Sequence, residues 1–246
     1  MAGLPTARVL NASPARFDLL HSRSSAAEFH ARTLPDPVSP EIWWHEIDRP
    51  ALVLGSTQSE EVVDTVACAA AGIDVVRRRS GGGAVLLVPG EVTWIDVIVP
   101  TGTEGWGKDV HTPMKWLGER LATVVRGLID GQGGDERYLV EVHHEKMVST
   151  AWSRLICFDG RGAGEVTLAG EKLIGISQRR TRAAARLQCC WYSRYDPQQM
   201  LALLAAGVRP RVGDLQPVAT IDEKAAAEIP AALLALLNAQ LGDLAT

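Results

Sequence analysis

The sequence predicts an α+β fold, with mixed or antiparallel sheets and flanking helices. Two observations carry that expectation: strand-like segments follow one another at hairpin distances, and helical segments do not alternate with them one for one. A length of 246 residues gives room for a sizeable core without covalent staples. Apolar residues make up 46% and charged residues 22%, the balance of a globular protein.

Residues 22–30 read as a short helix, with Pro35-Asp36-Pro37 as a linker behind it. Residues 51–54 form an apolar strand that runs into Gly55, and residues 73–76 a second that runs into Arg77-Arg78-Arg79. Residues 84–88 end at the turn pair Pro89-Gly90, after which 92–99 is a long β-branched run. Residues 138–142 and 165–168 alternate as strands, and 172–177 and 185–191 follow at hairpin spacing. In 112–129, Trp116, Leu117, Leu121, Val124, Val125 and Leu128 recur at three- and four-residue steps, which predicts an amphipathic helix. Its stop is Asp130-Gly131-Gln132-Gly133-Gly134. Asp196-Pro197 starts another helix, with proline at the first turn, and the Ala/Leu-rich stretch 222–241 is a third. The organisation expected is an N-terminal segment 1–38, a main unit 39–208 and a helical extension 209–246 belonging to the same domain. Trp43, Trp44 and Trp94 read as core aromatics, any of which would also suit the wall of an apolar tunnel.

A net charge of −4 argues against a general nucleic-acid binder. No apolar run reaches the ~18 residues of a membrane span, and the start, Met1-Ala2-Gly3-Leu4-Pro5, lacks a basic head followed by an apolar stretch, so no export signal is expected. Four cysteines with no CxxC pair suggest a reducing, cytoplasmic setting, with Cys189 and Cys190 as strand packing. In His143-His144-Glu145 neighbouring side chains point to opposite faces, so the segment reads as a strand end and not a metal site.

The sharpest feature is Arg77-Arg78-Arg79-Ser80-Gly81-Gly82-Gly83-Ala84-Val85. Glycines let backbone approach a ligand and aim N–H groups at an anion, and arginines suit phosphate or carboxylate. No Gly-Lys-Ser/Thr follows, and a strand rather than a helix comes next, so this is neither a Walker loop nor a dinucleotide fingerprint. A solvated hairpin loop has the same composition.

The string Arg77/Arg78 through Val85 resembles the loop over the activated acyl group in lipoate-protein ligases, a superfamily that includes biotin ligases and lipoyl/octanoyl transferases. Val53-Leu54-Gly55-Ser56-Thr57-Gln58 is similar to the strand end and turn before that loop. Gly170-Glu171-Lys172-Leu173-Ile174-Gly175-Ile176-Ser177 is similar to the segment with the family's essential lysine. The resemblance covers roughly residues 40–205 and implies a class II aminoacyl-tRNA synthetase/biotin ligase-like catalytic domain. It also implies an acyl/nucleotide-binding set of Arg77, Arg78, Ser80, Gly81, Gly82, Gly83, Ala84, Gln58 and Gly175, with Lys172 catalytic. Without the resemblance Lys172 reads as an edge-strand lysine in water. Cys157, fifteen positions before Lys172 in Leu155-Ile156-Cys157-Phe158-Asp159, resembles the nucleophile of one octanoyltransferase branch; a small buried hydrophobe is the other reading.

The expected activity is attachment of a lipoyl or related acyl group to a lysine of a lipoyl carrier domain, as in a 2-oxoacid dehydrogenase or glycine cleavage protein. As a ligase, the enzyme would pass through acyl-AMP with ATP and Mg²⁺, Asp159 being a candidate Mg²⁺ contact. As a transferase, Cys157 would take octanoate from an acyl-carrier protein as a thioester without ATP. A non-catalytic acyl or acyl-nucleotide binder is a third reading, suggested by Gln178-Arg179-Arg180-Thr181-Arg182 after the lysine segment. Arg179, Arg180, Arg182 and Arg186 suit docking of the acidic face of a carrier domain or binding of a nucleotide phosphate, and a solvated strand end is the more ordinary reading of the same cluster. The stretch beyond residue 208 is short for the accessory domain of two-domain ligases, which leaves two readings: a separate accessory chain supplies the missing part, or the enzyme takes a preactivated acyl donor. Neither nucleic acid nor membrane is an expected partner.

Overall fold

The computed structural model describes residues 16–129 and 139–243. Among the described residues ten strands form two sheets, with five α-helices around them. The larger sheet joins β1 (Asp18–Ser24), β2 (Glu41–Ile47), β6 (Val92–Pro100), β10 (Ala184–Tyr192), β9 (Glu171–Arg180), β8 (Val166–Leu168) and β7 (Val140–Val142), in that spatial order. All its pairings are antiparallel except β1 with β2. The smaller sheet has β3 (Ala51–Leu54) between β4 (Asp74–Arg77), parallel to it, and β5 (Val85–Leu87), antiparallel. The mixed α+β architecture agrees with the expectation.

Alternation along the strands divides the molecule into layers. From one face of the large sheet, Ile95, Val97, Leu187 and Trp191 pack with α3 (His111–Ile129) and α5 (Glu223–Asp243) in the main core. The opposite face carries Trp94, which packs with Ala51, Val53, Val85 and Leu87 of the small sheet. The other side of the small sheet, Leu52, Leu54 and Leu86, rests on Met200 and Leu201 of α4 (Pro197–Leu201) and on Cys68 of α2 (Thr65–Ala70).

Three elements depart from the sequence reading. Residues 22–30 are not one helix: β1 runs to Ser24, and α1 (Ala26–Ala31) begins after a Ser25 cap. Ser25 Oγ accepts from Glu28 N at 3.3 Å while the Glu28 carboxylate accepts from Ser25 N at 3.2 Å, a reciprocal box that fixes the start. Trp43 and Trp44 lie on a strand, β2. Helix α2 is set by Asp64, whose carboxylate accepts from Ala67 N at 2.9 Å. The expected strand residue Tyr138 and the glycine-rich stop at 130–134 lie outside the described residues, as does the start at 1–5.

A sealed polar cluster lies between the large sheet and α1. Asp96, His45 and Arg186 are all buried. Asp96 accepts from Arg186 Nε at 2.7 Å and Trp94 Nε1 at 2.8 Å, and pairs with His45 Nε2 at 3.0 Å. Burial alone would raise the Asp96 pKa, but His45, Arg186 and the Trp94 hydrogen bond outweigh it and hold the carboxyl below its usual range. Arg186 also donates to Phe29 O at 2.7 Å and Arg32 O at 2.8 Å, gripping the end of α1. Arg186→Met is expected to cost about 3–5 kcal/mol, because it leaves a buried carboxylate without its fixed cation. Urea denaturation of the variant beside wild type measures this.

Candidate active site

The glycine loop leaves β4 and folds back into β5. Neighbouring strand residues point apart, and that separates its arginines. Arg78 turns inward, 4% exposed, and donates to Gly81 O at 2.8 Å, Gly83 O at 2.7 Å and Val53 O at 3.3 Å. Arg77 turns outward, donating to Gly55 O at 3.0 Å and Gln58 O at 2.6 Å and pairing with Glu60. Thus Arg77 braces the preceding turn and does not line the cleft. Gln58 is a staple as well: its Oε1 accepts from Gly55 N at 2.8 Å and its Nε2 donates to Arg154 O and Leu155 O, each at 3.1 Å.

The loop is pressed onto the segment that carries Cys157. Ala84 N donates to Leu155 O at 2.8 Å, and Cys157 N to Ala84 O at 3.0 Å. A Cβ on Gly83 would fall 2.7 Å from Cys157 N, and one on Gly55 would fall 1.9 Å from Gly82 O. Gly82 has φ +99°, a conformation side chains rarely adopt, and its Cα faces the Cys157 sulfur.

Lys172 is 6% exposed and its ammonium has three partners: Cys157 O at 2.9 Å, Gly160 O at 3.0 Å and Glu165 Oε2 at 2.7 Å. These use all three of its protons. Burial would lower its pKa, but Glu165, with a smaller contribution from Cys157, prevails and holds it above the ordinary lysine value. Glu165 is fixed in turn by Gly162 N at 2.7 Å and Ile176 N at 3.1 Å. Gly175 leaves room on β9, since a Cβ there would press at 3.2 Å on the Phe158 ring and at 3.4 Å on Lys172 Cε.

Two cavities meet at Cys157. One is a polar cleft lined by Gly81, Gly82, Gly83, Cys157, Glu165 and Lys172. The other is apolar, bounded by Val53, Val85, Leu87, Trp94, Phe158 and Cys190, with Arg78 and His30 also in its lining. Cys157, Ile176 and Ser177 line both. Ser80 lies behind them, bonded to Ser177 Oγ at 3.0 Å and Gln188 Oε1 at 2.9 Å. Gln188 Nε2 lies 3.3 Å from His30 Nδ1.

Residues 26–234 match the family described as lipoyl protein ligase A/B catalytic domain. The chain belongs to this family. Its members are enzymes, among them lipoate-protein ligases and octanoyltransferases. The chain is 29% identical over 198 residues to octanoyltransferase LipM of Kyrpidia tusciae, covering 76% of this chain and 69% of that one. Its fold is similar to that of a lipoate-protein ligase A bound with ATP, with TM-score 0.54 and 16% identity over 90% or less of either chain (89% of this one, 82% of the other). It is also similar to a structure of the bi-partite lipoate protein ligase and E2 lipoyl domain of Thermoplasma acidophilum, with TM-score 0.53 and 16% identity, covering 91% and 82%.

Asp159 is buried, with Oδ1 accepting from Gln216 N at 2.7 Å and Oδ2 from Thr150 Oγ1. Both oxygens are taken up by hydrogen bonds that hold the fold, so Asp159 is poorly placed for a Mg²⁺ contact. The four arginines do not share a face: Arg186 is buried on Asp96, and Arg180 stacks 3.7 Å over Trp106 while donating to Gly107 O at 2.7 Å. His143 Nε2 donates to Lys146 O at 2.9 Å, and His144 pairs with Glu119 at 2.7 Å. Cys189 is core, but Cys190 faces the apolar cavity, its thiol pushed up to about 12 by burial and the neighbouring Cys157.

Sequence reading missed Glu165, His30, Gln188 and the inward turn of Ser177. A signal existed for Glu165, because a lysine buried in an apolar strand requires a carboxylate. Lys172→Met is expected to destabilise by about 3–5 kcal/mol by stranding Glu165, and Glu165→Gln/Lys172→Met to recover part of that loss, both read from urea midpoints. His30 gives a pH signature. Burial, helped by Arg186 and Arg78 against Asp96, pushes its pKa down to about 3. The unfolded chain therefore binds the extra proton first, and stability present above about pH 6.5 is lost as the pH falls toward 3. Between pH 7 and 4.5, His30→Gln is expected to lose less stability than wild type in the same titration.

Proposed function

We propose that this protein is an acyltransferase that carries a medium-chain acyl group, octanoyl or a close relative, as a thioester on Cys157. It then passes the group to a lysine of a lipoyl carrier domain, without ATP. The observation that carries this reading is the position of Cys157 where the apolar cavity opens into the polar cleft. A chain lying in the cavity brings its carbonyl to the sulfur, and the cleft gives access for donor and acceptor.

In the first half-reaction the Cys157 thiolate attacks the carbonyl of a donor thioester, and the donor leaves as its thiolate. In the second the neutral amine of the carrier lysine attacks the Cys157 thioester, forms the amide and releases the Cys157 thiolate, and the proton shed by the amine passes through solvent to the donor thiolate. Lys172 holds the Cys157 carbonyl and places a permanent positive charge beside the site, where negative charge develops on the oxyanion. The glycine loop closes over the sulfur with no side chain to obstruct it. Arg78 spends its guanidinium on Val53, Gly81 and Gly83 carbonyls, so it serves to shape the loop and not to hold a phosphate. The similarity to octanoyltransferase LipM supports the same choice.

Intact-mass analysis tests it. With an octanoyl thioester donor and no ATP, the protein is expected to gain one octanoyl group, located at Cys157 by peptide mapping. Cys157→Ser is expected to lower transfer to a lipoyl domain on the order of 10⁴- to 10⁶-fold. Carrier modification that requires ATP and survives Cys157→Ala would establish the ligase route through acyl-AMP instead.

A further inference from the structure

The floor of the apolar cavity is one transverse row of the large sheet. Trp94 on β6 pairs with Cys190 on β10, and Cys190 pairs with Gly175 on β9. Paired residues present their side chains on the same face. At the Gly175 end stands Phe158, next in sequence to Cys157, so this end is the chemical one. Two strand spacings separate Gly175 from Trp94, which makes the floor roughly 10 Å long. Val53, Val85 and Leu87 of the small sheet form the roof.

The far end is held from several sides. His30 of α1 packs on the Trp94 indole with ring centroids 4.6 Å apart, and Phe29 meets the same indole edge-on at 5.7 Å. Trp94 Nε1 is bonded to Asp96 at 2.8 Å. Gln188, itself bonded to Ser80, holds the His30 ring at 3.3 Å. Arg186 bonded to Phe29 O and Arg32 O keeps α1 from sliding away. A histidine in an apolar cavity needs such anchoring, and the anchoring gives the wall a fixed position.

We propose that His30, backed by Trp94, is the end wall that sets the length of the acyl chain this protein accepts. It seats a medium saturated chain and rejects longer ones. The proposal rests on the reading that this cavity holds the acyl group of a Cys157 thioester. Each methylene that a fixed wall rejects is worth roughly 10- to 200-fold in discrimination.

The test compares hexanoyl, octanoyl, decanoyl and dodecanoyl thioesters of N-acetylcysteamine in single-turnover acylation of Cys157, followed by intact mass. Wild type is expected to prefer octanoyl over dodecanoyl by tenfold or more. His30→Ala is expected to reduce that ratio at least tenfold, and His30→Trp to shift the preference toward hexanoyl. His30→Leu, close in volume, is expected to keep the wild-type cut-off. Binding of the matching free acids to Cys157→Ser, followed by calorimetry, reads the same cut-off without chemistry. A cut-off that stays in place in the Ala and Trp variants, in both assays, overturns the end wall. Free-acid binding whose cut-off moves with His30, with no acyl group ever found on Cys157, would overturn the thioester reading and leave the end wall standing.

Discussion

The geometry of the site depends on one buried ammonium. Taking Lys172 out of water costs several kcal/mol, and the fold offsets this only by bringing three acceptors to one point. Glu165 comes from the entry to β8, and Cys157 O and Gly160 O from the turn ahead of it. Chain 157–165 is therefore bent around β9 in one way, and that bend fixes where the Cys157 side chain begins. The glycine loop is then laid on the same turn by the Ala84 hydrogen bonds, at a distance that leaves no room for a Cβ on Gly83. A buried pair of this kind adds little net stability over apolar packing. What it supplies is position.

The same logic governs the other side of the sheet. The face toward α3 and α5 is ordinary apolar core, whereas the face toward the small sheet hides Asp96, Arg186 and His45. Helix α1 has six residues, too few to persist by itself. Its carbonyls at Phe29 and Arg32 are bound by Arg186, whose charge is balanced by Asp96, which also fixes Trp94. Buried charge thus holds a short helix and an aromatic ring in register across the cavity.

Much of this was legible in the sequence where the signal was local. The α3 stripe and the hairpins from β8 to β10 follow from periodicity, and the glycine loop, Lys172 and Cys157 from motif and spacing. Strand β1 was hidden because His21, Ser22 and Arg23 carry no apolar alternation; its pairing partner β2 defines it. Helix α2 is too short to show a stripe. Gln188 meets Ser80 across 108 positions and His30 across 158, distances over which a single sequence carries no pairing information. Arg77 and Arg78 looked alike in the motif, and only the strand's alternation assigns one to the turn and the other to the loop interior.

The full coordination of Lys172 bears on how it acts. An ammonium with a free proton would be drawn to the nearest oxygen of any substrate, in the ground state as well as the transition state, and such uniform binding does not speed the chemical step. Here the three protons are already engaged, so in the proposed reaction the cation acts on the substrate chiefly through its field. A field oriented before the reaction begins needs no rearrangement when charge appears, and Glu165, itself clamped by two backbone amides, keeps that orientation. On the proposed thioester reading, the acyl carbonyl is bound weakly at rest and more strongly as it becomes an oxyanion, which is the difference in binding that a transfer enzyme requires.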